Sequence, residues 1–369
     1  MGLFTRARRF MALAILALLA LPVLLLPASP VQTVSIRENR VLAPAPVWPR
    51  TFAEARTAPR KIDAYLSDHF AFRDQMVRLG SHLQRKVGGQ AGPRLASEGK
   101  DGWVFFNDGL LQSTGQARET AQTADFSRFV CDMDARLAKQ GIRMGFALIP
   151  SPAEIYPEKA PSWAGPAKRP TDYDETLIRV RACGVATIDL RPALIAAKSQ
   201  GLIYQRTDSH WTLLGAAFGY NAMLETIGRP DWRFPIDPSA WYDRTFVGDL
   251  PAMAGLEPRE DRAPVERRFE GPALPRVTLQ GLHFATDAPF VIEGRSRGPT
   301  VLVIGDSFTK DPMPPFFIDH VGRYAWAHHD ECAFDWAIFD RVKPDIVLFA
   351  PVERDARCRG GRPLHLPTP

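Results

Sequence analysis

Apolar positions along the chain follow two rhythms that alternate for most of its length. Asp125 to Gln140 has the spacing of an amphipathic helix, Gly141 is placed to stop it, and the apolar run IRMGFALIP that follows reads as a strand. The same pair recurs as a helix over 173–183 and the strand VATIDL. A further helix runs from Trp211 to Gly228, where Leu213, Leu214, Ala217, Phe218, Met223 and Leu224 make a strongly apolar face. Residues 230–297, rich in Pro, Gly and Arg, read as an irregular insertion. Beyond it the alternation resumes with PTVLVIGDSF, a short β-rich GRYAWA, the helix AFDWAIFDRVK and the strand PDIVLFAP. Short apolar strands separated by helices predict an α/β fold in three layers, with a mostly parallel sheet of about five strands covered on both faces.

Upstream, Tyr65, Phe70, Phe72, Met76, Leu79 and Leu83 stand at helical spacing over 61–86, and EGKDGWVFF reads as a turn entering a strand. Residues 31–60 lack a period and read as an extended tether, so the catalytic-sized unit spans 61–369. The first 30 residues differ in kind. Arg6, Arg8 and Arg9 precede an unbroken apolar run from Phe10 to Leu26. As a helix that run is roughly 25 Å long, slightly short of a ~30 Å hydrocarbon core. It reads as a signal anchor, with a cleaved signal peptide as the alternative. LLLPASPVQT offers no clean pair of small residues for a peptidase. The positive flank stays in the cytoplasm, which sends the rest of the chain to the periplasmic side, anchored to the inner membrane or free if the leader is cleaved.

Charge narrows the range of partners. The formal net charge is +5, but the leader supplies three of the arginines and no acid, and without them 43 basic residues face 41 acidic ones. A nucleic-acid surface needs clustered, unmatched Lys and Arg, so no nucleic-acid partner is expected. Cys131, Cys183, Cys332 and Cys358 are too widely spaced for a zinc site. In an exported chain they are either buried thiols or one or two disulfides, with three full pairings open.

Two short motifs carry candidate chemistry. Thr300 to Ile304 is a β-branched apolar run that ends in Gly305-Asp306-Ser307, which puts Ser307 at the end of a parallel strand, where side chains open into a ligand crevice. A serine hydroxyl is a poor nucleophile at neutral pH and needs a base, with a third group to orient that base. In QRTDSHWTLLGA, Asp208 and His210 stand just before a helix and provide both. Either motif alone is common in turns and caps. Together, in one extracytoplasmic α/β domain, they predict an Asp208–His210–Ser307 triad. Its chain order is unusual, but triads are defined by geometry. Trp211, Tyr324 and Arg354 are candidate substrate contacts. His328 and His329 are read as a solvated loop pair, and no metal or other cofactor is assigned.

The same residues resemble a known family, the SGNH hydrolase-like O-acetyltransferases of the alginate AlgX/AlgJ type. ENRVLAPAP, YLSDHFAFRD, GKDGWVFF, IPSPAEIYPE, IDLRPAL, YQRTDSHWTLLGA, VGDLPAM, VIGDSF and PDIVLFAPVER match in order, over nearly the whole chain after residue 35. The resemblance implies an SGNH-like domain with Ser307 as nucleophile, His210 as base and Asp208 as its orienting partner. It also implies that a membrane-embedded acyltransferase hands an acetyl group to Ser307, from which it passes to hydroxyls of an exported polysaccharide, alginate-like or another exopolysaccharide. The sheet is expected to end near Ala350 with only a short tail, as in the shorter, anchored members. The Gly and Asn oxyanion donors of typical SGNH enzymes have no assigned counterpart, and the Ser307 backbone amide is one candidate donor. Two alternatives remain open: a carbohydrate acetylesterase using the same triad, and a tethered glycan-binding scaffold without turnover.

Overall fold

Alternate residues of each central strand enter different layers, as a period of two requires of a sheet buried on both sides. The computed structural model of the chain describes Met11, Leu25, Val34–Ser35 and residues 40–70, 95–266, 274–284 and 287–358. Among the described residues seven strands form the main sheet: β1 Arg143–Leu148, β2 Thr187–Asp189, β3 Val277–Thr278, β4 Phe290–Glu293, β5 Thr300–Gly305, β6 Arg323–His328 and β7 Ile346–Ala350. Their spatial order is β2-β1-β7-β5-β6-β4-β3. The first five in that order are parallel neighbours, while β4 runs antiparallel to β6 and β3 antiparallel to β4.

The helices that pack on the sheet include α1 Thr120–Lys139, α2 Asp172–Ala182, α3 Arg191–Ala197, α4 Leu213–Met223 and α5 Ala337–Val342. Phe126, Phe129 and Met133 of α1, Tyr173 and Leu177 of α2 and Ile338 of α5 pack with Phe146, Leu302, Ile304, Val347 and Phe349. The residues between these on the strands, Ala147, Val301, Val303 and Leu348, pack instead with Leu194 of α3 and Leu214, Ala217 and Met223 of α4. Each large side chain so enclosed contributes about 1.5–3 kcal/mol. Boundaries follow local chemistry. Thr171 and Asp174 close a capping box on α2, Thr212 caps α4 by accepting the Gly215 N–H, and Gly141 takes a positive φ of 74° just after α1.

The strand read at Trp103–Phe106 is present as Val104–Phe106, paired with Ala96–Glu98 in a separate two-stranded ladder. Two readings need adjustment. Residues 230–297 are more regular than their composition suggests. They hold the hairpin Trp241–Val247/Glu260–Glu266 and supply β3 and β4, the antiparallel strands that extend the sheet. Exposed positions and interrupting prolines hid the period of these strands. A helix starts at Phe52, inside the stretch read as extended, because Thr51 and Glu54 form a capping box.

By compactness the chain divides into Met1–Leu95 with Pro251–Glu257, and Ala96–Leu250 with Pro258–Pro369. In the first unit the helix Phe52–His69 holds the preceding chain through Asp68, which accepts the Ala43 N–H at 2.8 Å. Among the described residues no helix is long and apolar enough to cross a membrane. The apolar leader lies outside them apart from Met11 and Leu25. In the second unit the cysteine question is closed by two disulfides. Cys131–Cys183 ties α1 to the end of α2, and Cys332–Cys358 ties the turn after β6 to the chain after β7.

Candidate active site

Ser307 owes its place to β5 and to the aspartate before it. At the C-terminal edge of the parallel strands, Gly305 lies level with His328 of β6 and Ala350 of β7. Asp306 then turns the chain. One carboxylate oxygen accepts the Phe308 N–H at 2.9 Å, capping the one-turn helix Ser307–Lys310, and the other accepts the Val352 N–H at 2.6 Å. Burial, and then the charge of Asp355, raise the Asp306 pKa. Ser307 is exposed, and as the first residue of its helix turn it has no intrahelical acceptor for its N–H.

The Asp-His segment is pinned from several sides. Tyr204 and Trp211 form an antiparallel bridge that closes the loop between them, with the Gln205 N–H donating to the His210 carbonyl at 3.0 Å. The Val104 N–H donates to the Arg206 carbonyl at 2.8 Å. Buried Asp261, on the insertion hairpin, takes the Arg206 guanidinium and the Thr207 hydroxyl. Held this way, Asp208 Oδ1 stands 2.7 Å from His210 Nδ1 and accepts the His210 N–H at 3.0 Å. His210 Nε2 lies 2.7 Å from Ser307 Oγ, across 97 residues of sequence. Burial pushes the Asp208 carboxyl up, but hydrogen bonds and charge from His210 outweigh it and leave the pKa lowered.

Trp211 is buried behind this row. Its indole N–H donates to the Phe308 carbonyl at 3.0 Å, and the Phe308 ring stands 4.8 Å from the His210 ring. Arg354 lies beside the row, its guanidinium 5.2 Å from the Phe308 ring centre and 5.4 Å from that of Phe106. Tyr324 is not brought to the site. It is fully buried against Phe317 and pairs with Val301 at the start of β5, whereas Ser307 follows the end of that strand. The histidine pair is not in a solvated loop. His328 ends β6, and His329 is fully buried with its ring stacked on His328 at 5.0 Å.

The sequence reading missed Asp249. Its backbone N–H faces the Asp208 carboxylate. Gly248 before it packs so tightly on the Thr207 carbonyl that a Cβ there would collide, and the Leu250 N–H donates to that same carbonyl at 3.2 Å. The Gly-Asp turn in VGDLPAM was the available signal. Among the described residues no group of three or more His, Cys, Asp or Glu side chains is arranged to hold a metal ion.

An exposed hydroxyl, an imidazole in contact with it and a carboxylate on the far ring nitrogen are the parts that acyl transfer through serine requires. Comparison with known proteins gives the context. "Probable alginate O-acetylase AlgJ" of Pseudomonas aeruginosa is 29% identical over 230 residues, which are 58% of this chain and 55% of that protein. The chain spans about half the length of the first curated relatives it matches. Among solved structures, a DHHW family protein from Eubacterium siraeum superposes with a TM-score of 0.52 at 17% identity, covering 73% of this chain and 95% of that one. The O-acetyltransferase domain of Pseudomonas putida AlgJ gives a TM-score of 0.48 at 19% identity, covering 71% and 91%. The family profile described as ALGX, an SGNH hydrolase-like domain of acetyltransferase AlgX, matches residues 96–322, more than half of the chain, which therefore belongs to that family.

Proposed function

We propose that this chain is an O-acetyltransferase that moves an acetyl group through an acetyl-Ser307 intermediate onto hydroxyls of an exported, alginate-like polysaccharide. The observation that carries the reading is the unbroken row from Asp208 through His210 to Ser307, at 2.7 Å for each link, in a member of this family. Ser307 Oγ attacks the carbonyl carbon of the donor acetyl ester as its proton passes to His210 Nε2. Asp208 holds the imidazole and favours the imidazolium. Backbone N–H groups at the turn, that of Ser307 among them, take the oxyanion. Collapse expels the donor alcohol with the proton from His210. A sugar hydroxyl then gives its proton to His210, attacks the acetyl-serine and leaves acetylated, and the imidazolium returns the proton to Ser307.

The donor is a membrane-embedded acyltransferase partner. The site of action is the periplasm, at the inner membrane if the leader is retained. Both disulfides suit an oxidising compartment. Ser307→Ala is expected to abolish polymer acetylation in cells and to lower turnover of a chromogenic acetyl ester by at least about 10³-fold. Oligosaccharide that accelerates ester turnover and is recovered acetylated distinguishes transfer from esterase action. Unchanged acetylation in the Ser307→Ala strain would leave only the scaffold reading.

A further inference from the structure

We propose that Asp249 is a second carboxylate of the Asp208–His210 pair: its backbone N–H keeps Asp208 in line with the imidazole, and its side chain tunes how readily the imidazolium forms. The proposal deepens the acyl-transfer reading and rests on it for its activity arm. The turn Gly248–Leu250 is fastened to the peptide just before Asp208 by the Leu250 hydrogen bond to the Thr207 carbonyl, and Gly248 has no Cβ because that carbonyl occupies its space. This brings a carboxylate up to another carboxylate, which costs energy unless something answers it. Among the described residues no hydrogen bond reaches Asp249 Oδ1, although that oxygen is shut off from solvent.

The charged and titratable groups facing Asp249 are Asp208, His210 and Arg354. Burial, and then the charge of Asp208, push its pKa up to about 6, against the pull of His210, of its own backbone N–H and of Arg354. Near neutral pH its charge therefore changes in the same range where a histidine base works. When Ser307 passes its proton to His210, the new positive charge is met by Asp208 in direct contact and by Asp249 behind it. Asp249 touches neither the nucleophile nor the imidazole through a hydrogen bond, so it is a positioning residue that acts through Asp208 and His210.

The test uses the full chain and Asp249→Asn, which keeps the backbone N–H and the shape while removing the charge. The acid limb of the kcat/KM profile for a chromogenic acetyl ester is expected to move to lower pH, because the imidazolium loses a neighbouring negative charge. The plateau rate is expected to fall about tenfold. In parallel, carboxyl-carbon NMR of protein labelled at aspartate should show a resonance titrating near pH 6. That resonance should be absent from Asp249→Asn and displaced to lower pH in Asp208→Asn, where the like charge is gone. The Asp208→Asn arm decides the matter should Asp249→Asn fail to fold. The NMR arm needs no turnover, so it also separates this proposal from failure of the acetyl-transfer reading. Asp249 titrating in the ordinary carboxylate range, or a limb and plateau that stay put in Asp249→Asn, overturns it.

Discussion

At the scale of single residues, the bond from the Trp211 indole to the Phe308 carbonyl fixes the distance between two segments that are far apart in sequence. It ties the residue after His210 to the residue after Ser307, at 3.0 Å and out of reach of water. Trp211→Phe keeps most of the apolar ring and removes the donor, leaving a buried carbonyl unpaired. The expected cost is about 2 kcal/mol in denaturant unfolding, with a several-fold loss of ester turnover as Ser307 drifts relative to His210. Unchanged stability and turnover would mean that the indole only fills space. The motif residues were legible because chemistry restricts them: a serine at a strand end and an Asp-His pair before a helix have few joint explanations. Tyr324 was misplaced because its distance from the site depends on strand direction. In parallel neighbours the start of β6 lies at the sheet edge opposite Ser307. Asp249 escaped notice because its interest arises from burial beside Asp208, which a one-dimensional pattern does not contain.

At the scale of elements, the C-terminal ends of β1 and β7 are stapled by Glu353, which accepts the Ser151 N–H at 2.9 Å. Burial, and then the charge of Glu154, push the Glu353 pKa up from 4.5 to about 8. The native state thus holds a proton that the unfolded chain releases. This contribution to stability is fully present below the unfolded value of 4.5 and is lost as pH rises through the folded value of about 8. Glu353→Gln keeps an acceptor for Ser151 and removes the titration. Denaturant unfolding between about pH 5 and 9 should show the wild type losing stability with rising pH and the variant losing less. Parallel curves would place the proton elsewhere. The long apolar runs of β1, β5 and β7 were plain in the sequence because both faces are buried. β3 is only Val277–Thr278 and exposed, so its membership in the sheet depends on pairing with β4 rather than on any pattern of its own.

At the scale of the whole molecule, the site depends on closing the sequence separation of 97 from His210 to Ser307. The C-terminal end of β5 and the segment between α3 and α4 meet there, and the insertion hairpin adds a clamp through Asp261. The fold class was legible from the alternation of elements, but this closure was not, since it is fixed by strand order. The disulfides stiffen the opposite layer. Cys131–Cys183 spans 52 residues, a loop for which the chain-entropy estimate is about 4 kcal/mol. Cys131→Ser combined with Cys183→Ser should lower unfolding stability by about that much while sparing ester turnover per folded molecule, because neither cysteine is near Ser307. A specific loss of turnover without loss of stability would contradict that division of roles. The most direct test of the account is to quench the chain during turnover of an acetyl ester and map acetylation by peptide mass spectrometry. One acetyl group on Ser307, absent from Ser307→Ala and strongly reduced in His210→Ala, is the predicted result; acetylated product formed with Ser307 never modified would contradict it.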